Sequence, residues 1–199
     1  MRAALAVVLG LAPGLAAADD APPAIDPDPR AVAEAREANL VPESVREGFA
    51  IGIALGGAMQ LGYGISESSG TGPGFNLRLG TVASPWLIWL LEISTTAYVA
   101  EDDSGKRRVN QSAVATVGAQ IYVNDAFWLR GGVGVATFTR RTEDRETARF
   151  DGLGMLGSGG VDLLRRGGFA TSLEAMGSLA RYDGATVIGA ALQLGISWY

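Results

Sequence analysis

Between residues 49 and 63 the chain changes character at every step. Phe49, Ile51, Ile53, Leu55, Met59, Leu61 and Tyr63 are large and apolar, with Gly57 the one interruption, while the positions between them hold glycine, alanine and Gln60. A period of two belongs to a β-strand with unlike faces. A core strand of a soluble protein fits that pattern. So does a strand that meets lipid on one side and a narrow barrel interior on the other.

The same alternation recurs down the chain and predicts eight strands, at 48–63, 74–83, 86–100, 108–123, 126–140, 148–164, 168–182 and 185–199. Leu77 and Leu79 oppose Asn76 and Arg78; Ile93, Thr95, Ala97 and Val99 oppose Glu92, Ser94, Thr96 and Tyr98; Leu192, Leu194 and Ile196 oppose Gln193, Gly195 and Ser197. Joints at Ala83-Ser84-Pro85, Asn124-Asp125 and Arg166-Gly167-Gly168 are tight, whereas ISESSGTGP, EDDSGKRR and TRRTEDRETA are longer and polar, with a shorter YDGA last. Short and long joints in alternation are the pattern of a barrel with short turns on the periplasmic side and longer loops outside. In lipid every backbone N–H and C=O must find a partner within the sheet, so the sheet has to close. The fold class that follows is all-β, an eight-stranded antiparallel up-and-down transmembrane β-barrel over residues 48–199, with both termini in the periplasm.

Aromatic placement adds two girdles. With the termini assigned to the periplasm, Trp86, Trp89, Trp128 and Trp198 fall near the periplasmic rim, and Tyr63, Tyr98, Phe138 and Tyr182 near the outer one. Amphipathic rings favour the headgroup level. If this phase holds, Leu55→Arg at mid-membrane should cost about 2–4 kcal/mol, and Gly56→Ser, facing inward, should be far milder.

The start of the chain reads differently. MRAALAVVLGLAPGLAAADD has Arg2, an apolar run and small residues before Asp19, so residues 1–18 are expected to be a signal peptide cut after Ala18. Residues 19–47 are expected to be a periplasmic linker, acid- and proline-rich at first, with a short helix from Asp28 and Pro29 through AVAEAREA, and with scope to hold a periplasmic partner. The whole chain of 199 residues has a formal charge of −5 and no basic stripe, which argues against nucleic acid.

The inward face carries Gln60, Arg78, Glu92, Gln120, Arg130, Asp162, Glu174 and Gln193. Arg78 and Glu92 are expected at one depth on paired strands, and Arg130 and Asp162 on neighbouring strands near the periplasmic end. Eight strands leave just enough room for side chains to fill the lumen, so these groups are expected to form a salt-bridge and amide network. A narrow polar path for water or small ions is the other reading, favoured by the small residues of the first strand. With no histidine and no cysteine, Ser-His-Asp, Cys-His and conventional zinc sites are ruled out, and no cofactor or metal is expected. Glu92 and Glu174 remain the only carboxylate pair worth considering as acid and base, and structural pairing is the expectation for them. The tracts GIALGGAMQLGYG and LGMLGSGGVD lack the spacing of a phosphate loop; a tightly curved sheet accounts for them.

Residues 48–199 resemble the small eight-stranded outer-membrane barrels of the OmpA/OmpX-like class, with ALQLGISWY as the closing apolar-alternating segment. In such families that segment, with its terminal aromatic, is read by the barrel-assembly machinery; here Trp198 keeps the lipid-facing phase and Tyr199 falls on the other face. The resemblance implies the outer membrane of a Gram-negative-type bacterium, contact with membrane lipid and lipopolysaccharide, and a barrel without the peptidoglycan-binding domain of full-length OmpA-like proteins. Barrel enzymes of similar shape rely on a histidine, so their catalytic residues do not carry over. The expected function is a structural or interaction barrel without catalysis, acting through surface loops that meet lipopolysaccharide, another cell or a protein partner. A porin-like path for small solutes, and a soluble lipocalin-like barrel with an apolar ligand, are the alternatives.

Overall fold

A computed structural model describes residues 46–65, 68–101, 107–142 and 145–199, with backbone alone over 145–147. The signal peptide and all but the end of the linker lie outside the described residues. Eight strands succeed one another in chain order: β1 (Phe49–Tyr63), β2 (Gly70–Ser84), β3 (Leu87–Glu101), β4 (Arg107–Tyr122), β5 (Phe127–Thr142), β6 (Arg145–Arg166), β7 (Phe169–Tyr182) and β8 (Ala185–Trp198). Each is antiparallel to the next, and β1 pairs with β8, so the sheet closes into an up-and-down barrel. Closure removes the sheet edges, the condition a strand must meet to cross lipid. All eight exceed the ~9–11 residues that a tilted strand needs for the crossing.

Alternation decides the two faces. In β1 every even-numbered residue from Ala50 to Gly62 turns inward and every odd one outward, Leu55 with 59% of its surface exposed. Leu91, Val117, Val133, Leu153 and Leu194 likewise stand on the outside, giving the barrel an apolar wall. A wall of exposed aliphatic side chains is unfavourable in water and favourable in a bilayer. For brevity, the near end is the one where β1 begins and β8 finishes; the far end is opposite.

Tight turns close the near end. At the β4–β5 turn Asn124 Oδ1 accepts from the N–H groups of Ala126 (3.0 Å) and Phe127 (2.7 Å), its side chain standing in for a backbone turn. The β6–β7 turn uses Gly167 at φ +58°, a left-handed conformation that costs glycine little.

Two joints read as loops are partly strand. β2 begins at Gly70, four residues before the predicted start, because Gly70–Pro73 still pair with β1. The β2–β3 register begins only at Gly74, so Pro73 stands where the ladder is one-sided and its missing N–H is tolerated. On either side of residues 143–144, the tract TRRTEDRETA likewise continues the β5–β6 ladder, with Arg140 opposite Ala148, Arg141 opposite Glu146 and Thr142 opposite Arg145. Its threonines favour extended backbone. A register shift at Arg140/Arg141 takes up the extra residue.

The mild effect expected of Gly56→Ser is overturned. Gly56 does face inward, but a Cβ there would collide with the main chain of Leu192 and Gln193, whereas at the outward neighbour Gly57 it would meet nothing within 4 Å.

Candidate functional site

The lumen is built in three layers. At the near end Ala50, Ile88, Leu90, Tyr122 and Trp128 form an apolar cluster, joined by Val82 and Tyr199. The Tyr122 and Tyr199 hydroxyls are hydrogen-bonded to each other, which places the ring of Tyr199 inside the barrel while Trp198 faces out. Trp128 Nε1 donates to Asp162 Oδ1 (3.1 Å), and Arg165 Nε donates to the other oxygen (2.8 Å).

The middle layer is ionic. Arg78 and Glu92 face each other directly across the β2–β3 ladder. Yet Arg78 reaches over the lumen to β7, its Nη1 lying 2.6 Å from Glu174 Oε2. Arg130 lies between the two carboxylates, Nε 3.0 Å from Glu92 and Nη2 3.3 Å from Glu174. Asn76 donates to Glu92 (2.6 Å), Ser172 donates to Glu174 (2.7 Å), and Arg130 makes a long contact of 3.5 Å with Gln120. Two guanidinium groups and two carboxylates cancel, as burial requires; the four side chains are at most 3% exposed.

Above this layer a second apolar cluster, with Val114, Phe138, Leu156, Met176, Tyr182 and Val187 among its members, shares the far half with buried polar Asn110 and Ser112. Gln60 lies on this side and donates to the Ser68 carbonyl (3.0 Å). Gln193 is buried beside Gly74, and neither of its amide atoms has a hydrogen-bond partner among the described residues. Buried amides of this kind are the usual stations of internal water.

Seven of the eight polar residues singled out from the sequence are therefore almost wholly buried inside, and the carboxylate of Asp162 is too. Their partners differ from those suggested by strand neighbourhood: Arg130 turns to Glu92 and Glu174, and Asp162 is taken by Arg165 and Trp128. The aromatic assignment divides. Trp86, Trp89, Trp198 and Tyr63 stand outside near the strand ends. Trp128 (1% exposed), Tyr98 (4%), Phe138 (0%) and Tyr182 (4%) are near strand ends as well, but their rings fill the lumen instead of forming a girdle. Inside, they supply volume that the many inward glycines do not.

Glu92 and Glu174, the carboxylates considered as an acid–base pair, are each ion-paired with arginine. Among the described residues no three potential metal-binding side chains come together. Two residues that the sequence did not point to matter at the near end: Arg165, and Arg46, which sits ahead of β1 and is 8% exposed.

No protein-family model matches the sequence, and no curated protein does. Among solved structures, the attachment invasion locus protein Ail of Yersinia pestis superposes with a TM-score of 0.57 at 15% identity, covering 76% of this chain and 99% of Ail. The same protein in complex with the heparin analogue sucrose octasulfate gives 0.56, again at 15% identity over 76% and 99% of the two chains. Neisserial surface protein A gives 0.51 at 12% identity, over 76% of this chain and 97% of its own. By its fold, this chain is an eight-stranded up-and-down barrel that matches those of Ail and the neisserial protein.

Proposed function

We propose that the protein is a non-catalytic structural and interaction barrel of the outer membrane, with both ends of the barrel in the periplasm and its far-end hairpins at the cell surface. The observation that carries this reading is the filled lumen: an apolar cluster, a charge-neutral ionic layer and a second apolar cluster lie one above another along the axis. What is left to meet a partner is the wall and the far end. Apolar side chains on the wall suit lipid and run against a soluble lipocalin-like barrel, which keeps its apolar residues inside.

The far end supplies the recognition chemistry. Arg107 is exposed near the far end of β4, and Arg141 and Arg149 are exposed on the tall β5–β6 hairpin, Arg149 with its Nε 3.0 Å from Asp151. Arginine prefers phosphate and sulfate oxygens because its planar fork of donors matches them. Lipopolysaccharide phosphates are the anion such residues would meet first at an outer-membrane surface. The sulfated sugar bound by Ail belongs to the same chemical class.

The test pairs two measurements on the purified, refolded barrel. Planar-bilayer recording should show no sustained conductance, and immobilised lipopolysaccharide should bind the protein with a strong salt dependence that weakens in R107A/R141A/R149A. Steady ohmic conductance would favour the pore alternative. Binding that ignores both salt and the triple substitution would remove the arginine-bearing hairpins from the proposal.

A further inference from the structure

We propose that Arg46 is a withdrawable stopper of the barrel's near mouth, and that its release admits water to the near cluster. Arg46 belongs to no strand, yet its side chain is buried at the mouth. Its guanidinium lies over the Tyr122 ring, 3.3 Å from the centroid, and 6.0 Å from the ring centre of Tyr199. Nη1 donates to the Pro85 carbonyl and Nη2 to the Asp125 carbonyl, each at 2.9 Å. One side chain thus bridges the β2–β3 and β4–β5 turns and covers aromatic residues at the ends of β4 and β8.

The way this cation is held sets it apart from the arginines deeper in the barrel. Arg78 and Arg130 have carboxylates at 2.6–3.3 Å. Both hydrogen bonds of Arg46 end on neutral carbonyls, and its Nε has no partner. Asp162 is close enough for its charge to be felt, but its own hydrogen bonds are made with Trp128 and Arg165. A buried cation without a dedicated counter-ion regains hydration on leaving, so the closed state is held by little more than two hydrogen bonds and a ring contact.

The chain also has a place to turn. Gly48 adopts φ +78°, and no neighbour crowds it. Its carbonyl accepts from Val82 N–H at 2.9 Å, which anchors the strand just beyond the turn while leaving residues 46–47 outside the ladder. Beneath the stopper lies a cavity of about 10 Å³, lined among others by Ala50, Arg78, Gln120 and Tyr199. That is room for about one water. It touches the near cluster on one side and the ionic layer on the other, so it is the natural first station for water admitted past Arg46.

Because the chain has no cysteine, a single introduced thiol reports access cleanly. Ala50→Cys places one in the near cluster, and Ala170→Cys places a second probe, in a separate protein, on the inward face at the start of β7; both alanines are at most 4% exposed. The refolded barrels would be treated with a charged, water-soluble methanethiosulfonate reagent, with and without Arg46→Ala, after heat-modifiable gel mobility has shown each variant to be folded. We expect slow labelling with Arg46 present and a rise of about tenfold or more in R46A, since each charge-assisted bond biases closed over open by roughly a factor of ten. Equal rates at both positions with and without Arg46, whether slow or fast, would overturn the proposal, because the mouth would then be closed by the wall or not closed at all.

Discussion

Glu174 offers the sharpest test of the ionic layer. Its Oε2 serves Arg78 at 2.6 Å and Arg130 at 3.3 Å, and its Oε1 accepts from Ser172 at 2.7 Å. Glu174→Gln keeps the shape and removes the charge, taking the layer of Arg78, Arg130, Glu92 and Glu174 from neutral to a net +1. The amide oxygen can still accept from both guanidinium groups while its NH2 donates to the Ser172 hydroxyl, so the change is one of charge. Breaking a buried ion pair from one side costs about 3–5 kcal/mol, and that is the loss expected here. Two unit charges about 4 Å apart attract by about 4 kcal/mol at an effective dielectric near 20, so removing both partners should recover much of it. The double variant R78M/E174Q should therefore show a coupling energy of about 2–3 kcal/mol in a cycle with the singles. Reversible urea unfolding of the barrel in phospholipid vesicles, followed by tryptophan fluorescence, supplies all four stabilities. A loss below about 1 kcal/mol for E174Q, the scale of a surface pair, would show that water screens the layer and that the lumen is not closed as described.

Two further outcomes test the wall. Leu55→Arg places a cation on the exposed lipid-facing side of β1 and should cost about 2–4 kcal/mol, read as reduced folding yield and a lower urea midpoint in vesicles; no change would mean that Leu55 does not meet acyl chains. Gly56→Ala should cost about 1–3 kcal/mol because its new methyl group meets the main chain of Leu192 and Gln193, while Gly57→Ala, with open space around it, should stay within about 0.5 kcal/mol. Equal effects at these two neighbouring glycines would contradict the assigned faces.

Period-two alternation carried most of the fold, because one buried face and one lipid face leave each strand little freedom to slip. It also held information that depth alone did not use. Tyr98 shares the phase of Glu92 and Ser94, Phe138 and Trp128 that of Arg130, and Tyr182 that of Glu174, so their inward direction was written in the parity of their numbers. Placing them in a girdle rested on distance from the strand ends and ignored that parity. The ion-pair partners were of a different kind. Register with a neighbour puts Glu92 opposite Arg78, but the partner at 2.6 Å is on β7, separated from β2 by β8 and β1 on the shorter way round the barrel. That contact depends on closure and on side-chain reach across the axis, neither of which a single strand encodes. Arg46 was hidden for another reason: it falls in a stretch with no period, where nothing local marks a buried arginine.

The small inward residues of the barrel belong to the same account. Taken alone, Gly52 and its neighbours on β1 suggest free volume and hence a path. In the folded barrel a Cβ at Gly52 would press on the guanidinium of Arg78, one at Gly195 on the carboxylate of Glu174, and one at Gly160 on the ring of Trp128. These glycines are sockets for long side chains that arrive from other strands. Arg78, Glu174 and Trp128 each take up the volume their glycine gives, so filling is kept while residue size varies widely along any one strand. Lumen width therefore cannot be inferred from one strand's residue sizes; it is set by pairs. A side chain added at a socket displaces the ion or ring seated there, and a seated group trimmed to alanine leaves a void against bare backbone. Either change alone should disturb the neutral layer that the filled lumen relies on.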